Sequence, residues 1–325
     1  MSCRRWVVAA SVLVAVCAIG FLSCGTKETG TSGGGEGLSL VIPASLAAPM
    51  EGVTAEFEKQ HPGVKVKTEI AGGLDAARAI AEKGQKADVF ATSDYAVIET
   101  QMMPKAATWY VKFAKNYIQL AFTAKSKFAD AVHRDDWYAK VLVPGVKVAC
   151  ADPNADPLGY RSLMAVQLAE AEYMQKGLVE KFKKNCVAKD IRTDGAEIVK
   201  MLQDGEADYA FLYRSVVNQN DLKFLALPPG MDLSMEDYTD QYKKAKVEIT
   251  GPTPAAFRVV SGEPIFYAVT IPENAARKEA AINYLKVMLG PVGQQVFEKN
   301  SQKQLVPCVA SDKTKVPKEL AGLCK

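Results

Sequence analysis

Four turns of the chain carry residue types that could hold a small anion. Each turn follows a short apolar run and precedes a helical pattern, and the four contain Ser45, Gly73, Asp156 and Tyr213. The first amides of a helix have no partners within the helix and its dipole is positive there, so such turns bind oxyanions. The Ser45 hydroxyl either contacts an anion or only caps its helix. Gly73 either brings its amide close to a ligand or is an ordinary turn glycine.

Alternating strands and helices position these turns. The predicted strands cover residues 38–42, 64–70, 87–91, 146–150, 209–212 and 265–271. The predicted helices cover residues 50–60, 74–83, 95–103, 160–174, 196–203, 275–289 and 292–299. This β-α-β-α order predicts mostly parallel sheets covered by helices, an α/β fold. The length of 325 residues allows about two domains.

The first residues predict export. Arg4 and Arg5 precede the apolar run 6–22, which ends in Leu22-Ser23-Cys24-Gly25. This segment resembles a bacterial lipoprotein signal, which implies cleavage before Cys24 and lipid attachment to it. Residues 1–23 are then the signal peptide, and residues 24–37 are the lipidated cysteine and a glycine-rich tether. The alternative is a signal-anchor helix that stays attached. Both place the body outside the cytoplasmic membrane.

The composition argues against several classes of function. Lys and Arg number 40 against 37 Asp and Glu, so the chain lacks the basic excess of a nucleic-acid-binding protein. The two histidines, His61 and His133, lie far apart, which argues against a histidine-rich metal site. Common nucleophile and phosphate-loop motifs are absent, and no carboxylate pair stands out. We therefore expect a binding protein, with an exported enzyme as the less favoured alternative.

Four cysteines remain after processing in an oxidising compartment. They are Cys150, Cys186, Cys308 and Cys324, and they can pair in three ways. Sequence proximity favours Cys150 with Cys186 and Cys308 with Cys324. The second pair would tie down the C-terminal tail.

Several short segments share their order and spacing with a known family. They are His61-Pro62-Gly63-Val64, Lys86-Ala87-Asp88-Val89, Ser93-Asp94-Tyr95, Met102-Met103-Pro104-Lys105, Asp152-Pro153-Asn154 with Asp156-Pro157, Gly159-Tyr160-Arg161-Ser162, Asp208-Tyr209-Ala210-Phe211 and Tyr213-Arg214-Ser215. Together they resemble the molybdate/tungstate-binding branch of the substrate-binding proteins of ABC importers. The resemblance covers residues 38–310.

The resemblance implies a periplasmic binding protein-like (type II) fold, in which two α/β lobes joined by a two-strand hinge close over a ligand. We place the crossover strands near 118–123 and 265–271. Lobe 1 is then 38–121 plus 266–325, and lobe 2 is 122–265. The implied ligand is molybdate or tungstate, without a cofactor. The implied partner is an ABC permease in the cytoplasmic membrane of a bacterial cell envelope, and the protein is expected to be a monomer.

The resemblance also assigns roles in the cleft. The family places a serine at Gly73, so only an amide contact remains there. It takes a ligand to the metal from the position of Asp156, although a helix cap is the alternative for this residue. The tyrosine corresponding to Tyr213 donates its hydroxyl to the anion. Arg78 and Arg161 lie near these turns and either support the anion or form ion pairs between the lobes.

Leu212 is the main departure from the family pattern. It stands where the tungstate-type branch has a glutamate that completes a six-coordinate metal centre, and leucine cannot coordinate. One outcome is that molybdate or tungstate binds as a plain tetrahedral dianion. The other is that Asp156 accepts a proton from an anion such as hydrogen phosphate, since an ionised aspartate is only an acceptor. Phosphite, sulfate and a small organic anion also stay open.

Overall fold

The computed structural model describes residues 37–186, 191–251 and 256–325. The predicted signal peptide, Cys24 and the tether up to residue 36 lie outside these ranges. No helix within the described ranges has the length and apolar character to cross a membrane.

The described residues form strands and helices in alternation. The strands are β1 (Leu38–Ile42), β2 (Val66–Ile70), β3 (Val89–Thr92), β4 (Val111–Lys115), β5 (Ile118–Phe122), β6 (Val148–Ala151), β7 (Ile191–Arg192), β8 (Tyr209–Tyr213), β9 (Lys223–Leu225), β10 (Lys246–Thr250), β11 (Phe257–Ser261), β12 (Phe266–Thr270) and β13 (Gln304–Ala310). The α-helices are α1 (Ala47–Gln60), α2 (Gly73–Glu82), α3 (Tyr95–Val97), α4 (Tyr138–Val141), α5 (Pro157–Glu172), α6 (Leu178–Asn185), α7 (Gly195–Asp204), α8 (Arg214–Gln219), α9 (Thr239–Tyr242), α10 (Lys278–Leu289), α11 (Pro291–Lys299) and α12 (Lys318–Ala321). A π-helix, Ile98–Met102, continues α3.

Two mixed sheets define two lobes. The first has six strands in the order β13-β4-β12-β3-β1-β2, in which β1 runs parallel to β2 and β3 while β12 is antiparallel to β3 and β4. The second has five strands in the order β7-β6-β8-β5-β9, in which β6 is parallel to β7 and β8. Strands β10 and β11 form a separate antiparallel ribbon. This is the type II periplasmic binding protein fold that the sequence predicts.

Helix α1 shows how the sequence pattern becomes packing. Met50, Val53 and Phe57 recur at helical spacing, and all three are fully buried. The helix packs against α10 and α11 on the first lobe. It ends at His61, whose ring stacks on Phe57 with 4.5 Å between centroids. The apolar face of α1 therefore attaches this helix to the first lobe.

The chain leaves the first sheet for the second through residues 116–117, and it returns to the first sheet from the β10–β11 ribbon through residues 262–265. They touch each other, because the Asn116 amide donates to the Ile265 carbonyl at 3.3 Å. The predicted lobe boundary at residue 121 needs correction, since β5 belongs to the second sheet. All five residues of β5 are buried, and the strand pairs with β8 on one side and β9 on the other. Likewise β12 lies wholly within the first sheet.

The cysteines differ in state. Cys150 and Cys186 form a disulfide in the structure, with their Cα atoms 5.8 Å apart. Cys308 and Cys324 are buried free thiols, which differs from the predicted second disulfide. They are nevertheless neighbours, because the two residues form an isolated parallel β-bridge. Backbone hydrogen bonds already hold the C-terminal tail there, from the Cys308 amide to Leu323 and from the Lys325 amide to Cys308.

Candidate functional site

A small pocket lies between the two lobes and brings together four predicted site residues. They are Ser45 from the first lobe and Asp156, Leu212 and Tyr213 from the second. The other lining residues are Pro43, Ala44, Leu158, Gly195 and Val216. The space open to the centre of a water molecule is about 10 Å³, which is roughly room for one water. The pocket therefore has no room for a sugar or a peptide.

A wider groove adjoins this pocket. It measures about 310 Å³ and shares Ala44, Gly195 and Val216 with the pocket. Small apolar residues of α1 and α7 line part of it, together with Lys200 and several amide side chains. The Lys200 ammonium is hydrogen-bonded to Asp204, so the entrance carries little uncompensated charge. Attraction of an anion must therefore come from the pocket itself.

Helix N-termini surround the pocket from both lobes. A 3₁₀ turn, Ala44–Leu46, follows β1 and leads into α1. Asp156 is the N-cap of α5, Gly195 is the first residue of α7, and Tyr213 precedes α8. The positive ends of several helix dipoles therefore meet around one space, which favours a negatively charged solute. The contribution of α7 was missing from the sequence prediction.

The Asp156 carboxylate caps its own helix and also joins the lobes. Its Oδ1 accepts from the Leu158 amide at 2.8 Å, and its Oδ2 accepts from the Gly73 amide of the other lobe at 3.3 Å. Burial raises the pKa of Asp156 to about 6, although both amides and the nearby Arg161 oppose the shift. Asp156 is thus a helix cap and a pocket wall at once, and its charge state changes close to neutral pH.

Gly73 does not line the pocket, in contrast to the expectation that its amide faces a ligand. The next two amides of α2 are also engaged across the lobes, since Leu74 and Asp75 both donate to the Ala155 carbonyl, at 2.9 and 3.2 Å. A side chain at Gly73 would place its Cβ 2.7 Å from the Thr92 Oγ1, so the side chains around it would have to shift to admit the serine that the resemblance implies.

Tyr213 and Arg161 belong to a buried polar network that links the lobes. Arg161 Nη1 donates to the Tyr213 hydroxyl at 3.0 Å and to the Ser93 carbonyl at 2.6 Å, while its Nη2 lies 3.1 Å from Asp94 Oδ2. The Tyr160 hydroxyl also donates to Asp94. Burial opposes the charge of Arg161, but the Tyr213 and Asp94 oxygens outweigh it and its pKa lies above its ordinary value.

The Tyr213 proton points away from the pocket. The hydroxyl donates to the Ser93 hydroxyl at 3.2 Å, and burial raises the pKa of Tyr213 to about 12. The sequence prediction has this proton donated to an anion. Tyr213 lines the pocket, and donation of this proton to a solute would require the hydroxyl to leave Ser93.

Leu212 and Arg78 occupy contrasting places. Leu212 is fully buried and forms an apolar part of the pocket wall.

Arg78 does not line the pocket, because its guanidinium donates to the backbone carbonyls of Asn154 at 2.9 Å and Thr250 at 2.6 Å in the other lobe. Of the two roles weighed for Arg78, the structure gives it contacts between lobes and none with the pocket.

The pocket is poor in metal ligands from the protein. Asp156 is the single carboxylate among its lining residues. Across residues 37–186, 191–251 and 256–325, no group of three or more His, Cys, Asp and Glu side chains is arranged to hold a metal ion. The site can therefore surround an anion with dipoles but offers it one protein carboxylate.

A two-lobed α/β body with a dipole-lined pocket between the lobes is typical of solute-binding proteins. The model of the family described as "Bacterial extracellular solute-binding protein" matches residues 38–300. The chain belongs to this family, which points to binding and not to catalysis.

Named relatives give further comparisons. The chain is 34% identical to the molybdate/tungstate-binding protein WtpA of Pyrococcus abyssi, over 97% of this chain and 96% of that one. It is 37% identical to a solute-binding protein of Petrotoga mobilis, over 86% and 88%. The periplasmic molybdate-binding protein of Azotobacter vinelandii superposes with a TM-score of 0.58 at 17% identity, covering 82% of this chain and 98% of that one. The sulfate-binding protein SubI of Mycobacterium tuberculosis also reaches 0.58, at 15% identity over 83% and 88%.

Proposed function

We propose that the protein is the solute-binding component of an ABC importer and that it binds a tetrahedral oxyanion, with molybdate or tungstate as the leading ligand. The observation that carries the proposal is the small pocket ringed by helix N-termini, with Ser45 and Asp156 in its wall. Its volume favours a compact inorganic ion over a sugar or peptide. The relationship to WtpA at 34% identity supports molybdate or tungstate. The implied partner is a membrane permease.

A thermal-shift panel tests the ligand. A ligand present at a hundredfold its Kd stabilises the folded state by about 2.7 kcal/mol. We expect molybdate and tungstate to raise the melting temperature, and sulfate, phosphate and arsenate to raise it less at equal concentration. If phosphate raises the midpoint and molybdate does not, the leading assignment is wrong. A panel in which every anion is silent rejects oxyanion binding altogether.

We further propose that the bound anion stays tetrahedral. Leu212 places an aliphatic wall where a second carboxylate would be needed to expand the coordination of the metal. Asp156 alone cannot complete a six-coordinate centre, and its Oδ1 already caps α5. Amide and hydroxyl donors then hold the oxygens of the anion, in the way that helix N-termini hold other oxyanions.

X-ray absorption spectroscopy of the tungstate-loaded protein tests this geometry. We expect four oxygen neighbours around tungsten in the wild type, because no second carboxylate is within the pocket wall. A Leu212→Glu variant supplies that carboxylate and is expected to raise the coordination number, whereas Leu212→Gln serves as a neutral control of similar size. Six oxygen neighbours in the wild type would contradict a plain tetrahedral ligand.

Hydrogen phosphate is the second candidate, and Asp156 is the observation that favours it. A protonated oxyanion can donate to the ionised Asp156 carboxylate, whereas a fully deprotonated dianion has no proton to donate and is repelled by it at short range. Phosphite, sulfate and small organic anions are less favoured candidate ligands. An exported enzyme is disfavoured, because the pocket holds one carboxylate and no nucleophile–base pair among its lining residues.

We propose that Cys24 anchors the protein to the cell envelope through a lipid, with residues 24–37 as the tether. The basic start, the apolar run 6–22 and the Leu22-Ser23-Cys24-Gly25 sequence support this. A Cys24→Ala variant should then lose incorporation of labelled fatty acid and leave the membrane fraction. Unchanged labelling of that variant would rule out the anchor.

A further inference from the structure

A chain of buried hydrogen bonds runs behind the pocket to the interlobe crossover. The Asn116 amide group donates to the Tyr267 hydroxyl at 3.2 Å, and the Tyr267 hydroxyl donates to Ser45 Oγ at 2.9 Å. Asn116, Tyr267 and Ser45 are each less than 5% exposed. Asn116 lies in the first crossover, Tyr267 is on β12, and Ser45 is in the pocket wall. The chain thus connects the hinge to the anion site through three side chains.

Proton counting fixes the direction of this chain. The Asn116 amide has two protons, and the second one goes to the Ser215 hydroxyl at 2.8 Å. Tyr267 accepts from Asn116, so its single proton is free to go to Ser45. Ser45 Oγ accepts that bond and keeps its own proton. Among the described residues, no hydrogen bond from the Ser45 hydroxyl is formed to any acceptor.

The Ser45 proton is therefore the one hydroxyl proton in the described pocket wall that is available to a solute. Tyr213 carries the other hydroxyl of the wall, and this hydroxyl donates its proton to Ser93. A hydroxyl that accepts a hydrogen bond becomes a stronger donor, because successive hydrogen bonds polarise one another in a low-dielectric interior. An anion at Ser45 would thus receive a bond that is strengthened by Tyr267 and Asn116.

We propose that Tyr267 is a positioning residue for anion binding, which orients and strengthens the Ser45 donor without touching the anion. This inference rests on the proposed function as an oxyanion-binding protein. The same chain ties anion binding to the crossover, because the Asn116 carbonyl oxygen also accepts from the backbone amides of Tyr117 and Ser215. An anion that polarises Ser45 therefore tightens bonds at the point where the two lobes join.

A pair of matched variants tests the role of Tyr267. Tyr267→Phe removes the hydroxyl and leaves the ring, and we expect tungstate and phosphate, whichever binds the wild type, to bind about five- to tenfold more weakly. Tyr284→Phe makes the same deletion at another buried tyrosine of the first lobe, bonded to Thr54 at 3.0 Å and absent from the pocket lining. That variant should keep wild-type affinity. Calorimetric titration below both melting temperatures measures Kd.

A double-mutant cycle separates positioning from a merely structural role. Ser45→Ala removes the donor, so adding Tyr267→Phe should weaken binding no further. Equal affinities for Tyr267→Phe and Tyr284→Phe, or fully additive losses in the cycle, overturn the inference while oxyanion binding stands. A wild-type protein that binds neither tungstate nor phosphate instead rejects the proposed function, and the positioning role fails with it.

Discussion

The affinity for molybdate or tungstate should rise as the pH falls from about 8 towards about 6, by up to about tenfold per pH unit. In the free protein, burial raises the pKa of Asp156 to about 6. A dianion beside this carboxylate favours its neutral form, so the pKa of Asp156 rises further and one proton is taken up on binding. Binding that takes up a proton strengthens as the pH falls. The gain ends below about pH 6, where the free protein already holds the proton.

Calorimetric titrations across this pH range measure the slope, and two buffers of different ionisation enthalpy count the protons. Asp156→Asn should flatten the profile, because the titrating group is gone. Asp232→Asn is the matched control, since burial also raises the pKa of Asp232 to about 6 but the residue does not line the pocket. Affinity that falls on acidification, and does so only with Asp156 present, would favour a ligand that donates its own proton to this carboxylate.

Replacing Arg161 with alanine should lower the free energy of unfolding by about 3–5 kcal/mol, because it leaves the Asp94 carboxylate buried without its counter-ion. Both side chains are 2% exposed, and their ion pair joins α5 of the second lobe to the turn after β3 of the first. The Ser93 carbonyl and the Tyr213 hydroxyl lose a donor in the same step. Chemical denaturation followed by far-UV circular dichroism measures the change.

An exposed arginine, Arg134, provides the control for the predicted loss of stability in the Arg161 variant. Arg134 pairs with Asp135 at 3.1 Å, and the two side chains are 60% and 79% exposed. Solvent screens this pair, so Arg134→Ala should change stability by less than about 1 kcal/mol. If the Arg161 variant is no less stable than the Arg134 variant, the ion pair between the lobes does not stabilise the folded protein. Combining Arg161→Ala with Asp94→Asn should recover part of the stability, because the lone charge is then removed.

The alternating strands and helices were predictable from the sequence because the signals are local. Apolar runs that end in Ser45, Asp156 and Tyr213 place these residues at the carboxyl ends of strands or at helix starts, and the structure gathers them in one pocket. The α/β class followed from the same alternation, whereas the two-lobed type II fold was implied by the family resemblance. The polar residues of the pocket wall were thus predictable from the sequence.

Contacts between distant segments could not be predicted from local sequence patterns. Tyr267 lies 222 residues from Ser45, and two partners of Arg161, Ser93 and Asp94, come from the other lobe. Strand β5 was predicted as a crossover because either sheet could hold a buried apolar strand. Only its pairing with β8 and β9 assigns it to the second sheet. Gly73 reads as a free amide because its acceptor, Asp156, lies 83 residues away.

The bond from Gly73 to Asp156 makes the start of α2 part of the contact between the lobes. A tethered carboxylate already rests on an amide at the start of α2, and neighbouring amides of that helix hold the Ala155 carbonyl. Separation of the lobes would leave three amides of α2 and the Asp156 carboxylate to be hydrated, so water competes directly with this contact.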